Sequence, residues 1–359
     1  MSSLMSLFNE IIGDYTKWDY YNKFWIRNLD FIGVMRDPSF FITNYLSNGD
    51  KMNIRTSEQI ESLARECDRL EHTISIFFFG ILLYEKVDVI KNNIDRFIGR
   101  NKRFIDDEEV TPFSYYWFLI CFFHDLGYYF ENKDFKFVFS KLAEFQENGI
   151  SLRLPPFSKG IPNIIVRNWG KYLKYRIDEM GCIDHGVIGG VLFYYERLKD
   201  YTLRKNHFQR AIFIQNGLKW SNTILRNIHL PVAWTILAHN MWFINEESEH
   251  VDKYIRYNLN DLIRNEPAIN IVNHPLLYLL SVVDSLDPIK CLRRFGIANS
   301  IDEITSTLHL EFNRDSFYIQ INNENSEAVN KYFDSIKKMN AWIRCSVNSN
   351  NSGLEFEIY

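Results

Sequence analysis

Between residues 57 and 300 the chain repeats one kind of pattern: an apolar stretch long enough for a buried helix, carrying a single His or Asp inside it or at its edge. Ile74–Tyr84, Phe113–Phe123, the run after Asp184-His185, Thr235–Ala238 and Leu279–Val283 are such stretches. Their starts carry helix signals. Ser57 suits an N-cap for a helix running to about Val89, and Pro112, Pro231, Pro275 and Pro288 suit first turns. Residues 1–55 read as an aromatic helical extension, helix-like to Met35 and broken at Asp37-Pro38 and Ser47-Asn48-Gly49-Asp50. Trp18, Tyr20, Tyr21, Phe24 and Trp25 are expected to pack on the main core. Residues 128–180 form an insertion between His124-Asp125 and His185, with Leu154-Pro155-Pro156 and Lys159-Gly160-Ile161-Pro162 marking irregular structure in its middle. A loop region of this kind on a helical scaffold is where substrate contacts are expected.

After about residue 300 the period changes to two. Ser306–Phe312, Ser316–Ile321 and Leu354–Ile358 alternate as half-buried strands, and 326–342 reads as an amphipathic helix. The expectation is a mainly α fold in three consecutive parts: an extension at 1–55, a helical bundle at 56–299, and a small β-β-α-β appendage at 300–359.

Composition narrows the class. With 46% hydrophobic and 24% charged residues over 359 positions, a large core forms and disorder is not expected. A net charge of −4 without a long Lys/Arg cluster gives no electrostatic footprint for nucleic acid. The five cysteines are scattered and lack CxxC spacing, so they read as free thiols of a reducing compartment. The N-terminus lacks a secretory pattern, and the apolar runs are shorter than the ~20 residues a bilayer requires. A cytoplasmic location with no membrane partner is the expectation.

The chemistry lies in the interrupted helices. His124-Asp125 closes an apolar run and is followed by Gly127; a buried carboxylate there needs a neutralising partner. Imidazole and carboxylate together ligate divalent transition ions. His72, His185, His239 and Asp284 stand in the same kind of setting. Of the other histidines, His229 is the rival to His239, His274 sits in a capping context, and His207, His250 and His309 read as surface or structural.

The order and local contexts of these six residues resemble the HD-domain superfamily of metal-dependent phosphohydrolases, over roughly residues 55 to 295. Arg69 stands three residues before His72, as in the family. The resemblance implies a helical HD-type domain at 56–299 holding two divalent ions, Mn, Fe, Co, Ni or Zn. His72, His124 and Asp284 would serve one ion, His185 and His239 the other, and Asp125 would bridge. The implied activity is hydrolysis of a phosphate ester or phosphodiester, a nucleotide by preference, through a metal-bridged water. Two departures set the chain apart from the HD-GYP phosphodiesterases. Tyr128 stands where those enzymes carry Lys, and Asn240 where they carry a second His, so neither a third metal nor a cyclic dinucleotide substrate is expected.

Asp184 reads as an orienting group, a proton carrier or an N-cap. Lys171, Lys174 and Arg176, shortly before His185, read either as a solvated helix face or as substrate-phosphate contacts. Lys290, Arg293 and Arg294 are weaker candidates of the same kind. Neither a Gly-rich phosphate loop nor a Gly-x-Ser-x-Gly elbow is present. Two other classes share the pattern: a di-iron oxygenase using the same six ligands, and a non-catalytic nucleotide-binding or sensor module. The partners implied are a small phosphorylated substrate and, as an open option, a second copy of the chain in a homo-oligomer.

Overall fold

The computed structural model describes residues 1–20, 28–42, 69–102, 112–131, 140, 154–157, 159–207, 213–215, 218–220, 222–350 and 353–359. Among these the chain is mainly helical, with a small antiparallel sheet toward the C-terminus. No helix among them is long and apolar enough to cross a membrane. The Ser57 helix start, the Ser47–Asp50 break, Tyr21, Phe24, Trp25, Thr111 and Cys67 fall outside the described residues.

The contacts group into two compact units. One comprises Met1–Arg96, Pro112–Cys121 and Glu266–Tyr359, the other Phe97–Thr111 and Phe122–Asn265. This grouping cuts across the three consecutive segments expected from the pattern.

In the first unit the Arg69–Lys86 helix is buried on nearly every side from Leu70 to Leu83, which is why its sequence is apolar all round rather than striped. Gly80 lies against the indole of Trp117, whose Nε1 donates to the Phe77 carbonyl at 2.9 Å. Pro275–Leu286 and Pro288–Arg294 follow one another, with Asp287 between them as the N-cap of the second. The sheet has five strands in the order Ser2–Ser3, Leu308–Phe312, Ser316–Ile321, Gly353–Ile358, Cys345–Ser349. Its register sets Phe317 opposite Phe356, and their rings stack with centroids 5.1 Å apart.

The C-terminal pattern is therefore ββαββ, completed by an N-terminal strand, and not the expected β-β-α-β. Cys345–Ser349 is an edge strand whose buried residue is Cys345, so it carries no apolar alternation to read. Ser306 and Thr307, expected in a strand, close the Ile301–Thr307 helix capped by Ser300. Nor is the sheet a loose appendage. Tyr332 donates to the Leu286 carbonyl and Tyr278 to the Arg344 carbonyl, each at 3.2 Å, tying it to the helix that carries Asp284.

In the second unit Asn163–Met180 ends at Gly181, whose φ of 67° is the left-handed C-cap that glycine adopts freely. His185–His207 packs on Leu230–Ala238, where Gly190 lies against the Ala233 carbonyl and Leu237. The Leu230 helix does not begin at Pro231 as expected. It continues from Asn222–Ile224 through a π-helical turn at Leu225–His229. A two-stranded hairpin, Phe213–Gln215 with Leu218–Trp220, occupies part of the 203–229 segment.

Two glycines have opposite expected responses. An added Cβ at Gly80 falls inside the Trp117 indole, which the Phe77 bond holds in place, so Gly80→Ala should destabilise by about 1–3 kcal/mol. Gly170, inside Asn163–Met180, has nothing within 4 Å of a Cβ, so Gly170→Ala should stabilise by roughly 0.5–1 kcal/mol. Denaturant unfolding of both variants checks the pair; equal stability of the two would contradict this packing.

Candidate metal centre

Phe113–His124 delivers His124 at its last turn, and the chain bends at once through Asp125, Leu126 and Gly127 into Tyr128–Glu131. That bend requires a glycine. A Cβ at Gly127 would overlap the carbonyl of His185, so Gly127 lets the turn carrying Asp125 lie directly on the start of the His185 helix. Asp184 caps that helix by accepting from Val187 N–H at 2.9 Å, which fixes where His185 enters. His239 stands at the C-terminal end of Leu230–Ala238.

These elements bring four expected ligands of the second unit together. One atom from each of Asp125, His185 and His239 lies within 4.8 Å of the others. The ring of His239 meets those of His124 and His185 edge-on, with centroids 5.3 Å apart in both cases. Asp125 Oδ1 faces His124 Nε2 at 3.2 Å and His185 Nε2 at 3.9 Å, so one carboxylate oxygen is shared between two imidazoles. His124, Asp125 and His185 are buried; His239 is half-buried.

The neighbours of each ring determine which nitrogen is available. His239 Nδ1 donates to the Ile236 carbonyl at 2.6 Å. His185 Nδ1 lies 3.3 Å from Glu131 Oε2 and 3.4 Å from Asn240 Nδ2. Asn240 already donates to Asp184 Oδ2 at 2.8 Å, and turning its amide over would set oxygen against that carboxylate. The proton on His185 Nδ1 therefore goes to Glu131, and Nε2 keeps its lone pair toward Asp125. Tyr128 stacks on the same imidazole, ring centroids 3.7 Å apart at 18°.

His72 follows the same rule in the first unit. Its Nδ1 meets Asp287 Oδ2 at 2.8 Å, while Nε2 faces Asp284 Oδ1 at 3.2 Å. Asp287 is fully buried and engaged on every side: Ser75 Oγ and the N–H groups of Ile289 and Lys290 all donate to it. Lys290 Nζ lies 2.8 Å from Asp284 Oδ1. Burial alone would lower the pKa of His72. Hydrogen bonds to Asp284 and Asp287 outweigh it, and the net value rises to about 9.

The basic residues separate by helix face. Tyr172, Tyr175 and Arg176 are buried, whereas Lys171 and Lys174 line a cleft of about 420 Å³ with Asp178, Arg256, Tyr257 and Asn258. Arg176 is only 5% exposed. Its Nη2 lies 3.6 Å from Glu131, its Nε 3.7 Å from Asp184, and its guanidinium sits 4.4 Å from the Trp242 ring centre. Asp184 accepts through both oxygens, which fits the orienting and capping readings. Arg293 pairs with Glu71 at 2.5 Å.

The remaining histidines sit elsewhere. His229 is buried against Phe193 and held neutral, its pKa pushed down to about 3 by burial and by Arg197. His274 occupies the N-cap position of Pro275–Leu286, with its pKa lowered to about 4 by burial. Glu131, Asp287 and Trp242 were not among the residues read from sequence. Their signal was weak: one acid after three aromatics, a helix-start Asp-Pro, and an indole three positions past His239.

The donor set is imidazole nitrogen and carboxylate oxygen without thiolate, which fits a borderline divalent ion. Comparison of the chain with protein-family models, with curated proteins and with solved structures finds no match.

His72 generates a pH prediction. Its raised pKa contributes stability to the metal-free protein that is full below about 6.5 and is lost as pH rises through about 9. A divalent ion taken up at His72 would have to displace a proton over the same range, so its affinity would rise with pH. Calorimetry in buffers of differing ionisation enthalpy should register about one proton released near pH 7.5, and none with His72→Gln. Equal proton release by both proteins would contradict this assignment.

Proposed function

We propose that the chain is a metal-dependent phosphohydrolase or phosphodiesterase of the HD-domain type, acting on a phosphate ester and by preference a nucleotide. The observation that carries the reading is the shared oxygen: Asp125 Oδ1 faces the Nε2 atoms of His124 and His185, with His239 completing the group. A carboxylate between two imidazoles is the arrangement a bridging ligand requires. The sequence-derived ligand sets are retained: His72, His124 and Asp284 for one ion, His185 and His239 for the other, Asp125 for both. Bound divalent ions at such positions supply Lewis acidity, lowering the pKa of water and stabilising charge on phosphoryl oxygens.

The rest of the work falls to the protein. Glu131 orients His185, Asp184 caps its helix, and Arg176 balances the negative charge that these carboxylates gather. Trp242, 37% exposed and backed by the Arg176 guanidinium, offers an aromatic face suited to a planar base. Lys171 and Lys174 lie on the opposite helix face, where their cleft suits an outlying part of an anionic substrate. The proposed substrate is a small molecule and the proposed location the cytoplasm; no helix among the described residues is long and apolar enough to cross a membrane.

Metal analysis and turnover test the proposal together. Protein purified without chelator should hold at least about one equivalent of transition metal and release phosphate or nucleotide anaerobically. Asp125→Ala should lose all metal and all turnover, whereas His185→Ala should retain one ion with turnover reduced at least about 100-fold. Oxygen uptake by the iron-loaded protein without anaerobic hydrolysis would replace this reading with the oxygenase. Two ions and full rate in His185→Ala would remove the binuclear assignment.

A further inference from the structure

The sequence pattern marks the candidate ligands but is silent on what aims them, and at His185 a carboxylate meets the far side of the ring. His185 meets three neighbours: Tyr128 on its ring face at 3.7 Å, Glu131 at Nδ1 at 3.3 Å, and Asn240 Nδ2 beside the same nitrogen at 3.4 Å. Of the three, Glu131 alone accepts the Nδ1 proton and carries charge. It is in turn held by Arg176 Nη2 at 3.6 Å, and that guanidinium leans on Asp184, which fixes Asn240. Arg176 is 5% exposed, and its Nη1 has no hydrogen-bond partner among the described residues, so its two carboxylates help to keep the charge inside the protein.

We propose that Glu131 is the positioning residue of His185: by accepting the Nδ1 proton it holds Nε2 toward Asp125 before any ion arrives. The inference rests on the metal-site reading above and goes further, giving one ion position a dedicated outer carboxylate six residues past Asp125. Asp287 plays the corresponding part for His72. The two differ in kind. Asp287 is fixed by four donors, whereas among the described residues Glu131 is met by one imidazole and one guanidinium.

The test is calorimetric titration of the metal-free, full-length protein with Zn(II) alone. Glu131→Gln keeps the side chain's shape, removes its charge, and should weaken one binding step about 10-fold or more while leaving the other unchanged. The same substitution placed in His185→Ala should have no further effect, because Glu131 acts through His185. Glu131→Asp retains charge for Arg176 but retreats by one methylene, and should give an intermediate loss if the Gln variant does not fold. Identical affinities in wild type, Gln and Asp variants would overturn the inference. So would equal losses with and without His185. Failure of the wild type to bind Zn(II) at all would instead overturn the underlying metal-site reading.

Discussion

A hydrogen bond on the far side of an imidazole is the interaction on which the candidate site depends. Histidine has two nitrogens and, when neutral, one proton; an acceptor placed at Nδ1 decides that Nε2 is the ligand. The chain applies this three times with three acceptors: the Asp287 carboxylate for His72, the Glu131 carboxylate for His185, and the Ile236 carbonyl for His239. Each acceptor is fixed by secondary structure. Asp287 is a helix cap, Glu131 closes a short helix, and Ile236 is three residues before His239 on its own helix. Local backbone geometry thus sets the direction of the donor atoms.

Placing so many carboxylates within and at the ends of buried helices carries a cost that the surrounding charges offset. An unpaired buried charge destabilises by several kcal/mol, and breaking a buried pair typically costs about 3–5 kcal/mol. Asp284 is met by His72 and Lys290, and Asp287 by His72, Ser75 and two helix N–H groups. Glu131 and Asp184 share Arg176. The close approach at Gly127 is the steric counterpart, since a side chain there would push the His185 carbonyl and the Asp125 turn apart.

Much of this was legible in the sequence, for a physical reason. Polar residues inside apolar helices stand out because burial makes them costly, so His72, His124, Asp125, His185, His239 and Asp284 were visible as interruptions. The helices themselves were visible through their Pro starts and apolar runs. The orienting residues were not, because Glu131 and Asp287 sit at helix ends where acids are common. The edge strand Cys345–Ser349 was invisible because it buries only Cys345 and so shows no apolar alternation, and the Ser2–Ser3 strand because two residues carry no period. Lys171, Lys174 and Arg176 read as one basic group along the chain; the helical repeat sends the lysines to a surface cleft and buries the arginine.

The central claim is that preset Nδ1 protons direct Nε2 toward the metal positions. Long-range ¹⁵N–¹H correlation spectra of the Zn(II)-loaded protein, with labelled histidine side chains, test it most directly. His72, His185 and His239 should each show a protonated Nδ1 and a metal-shifted Nε2 without a proton. Coordination through Nδ1, or unperturbed rings on saturation with Zn(II), would contradict the claim.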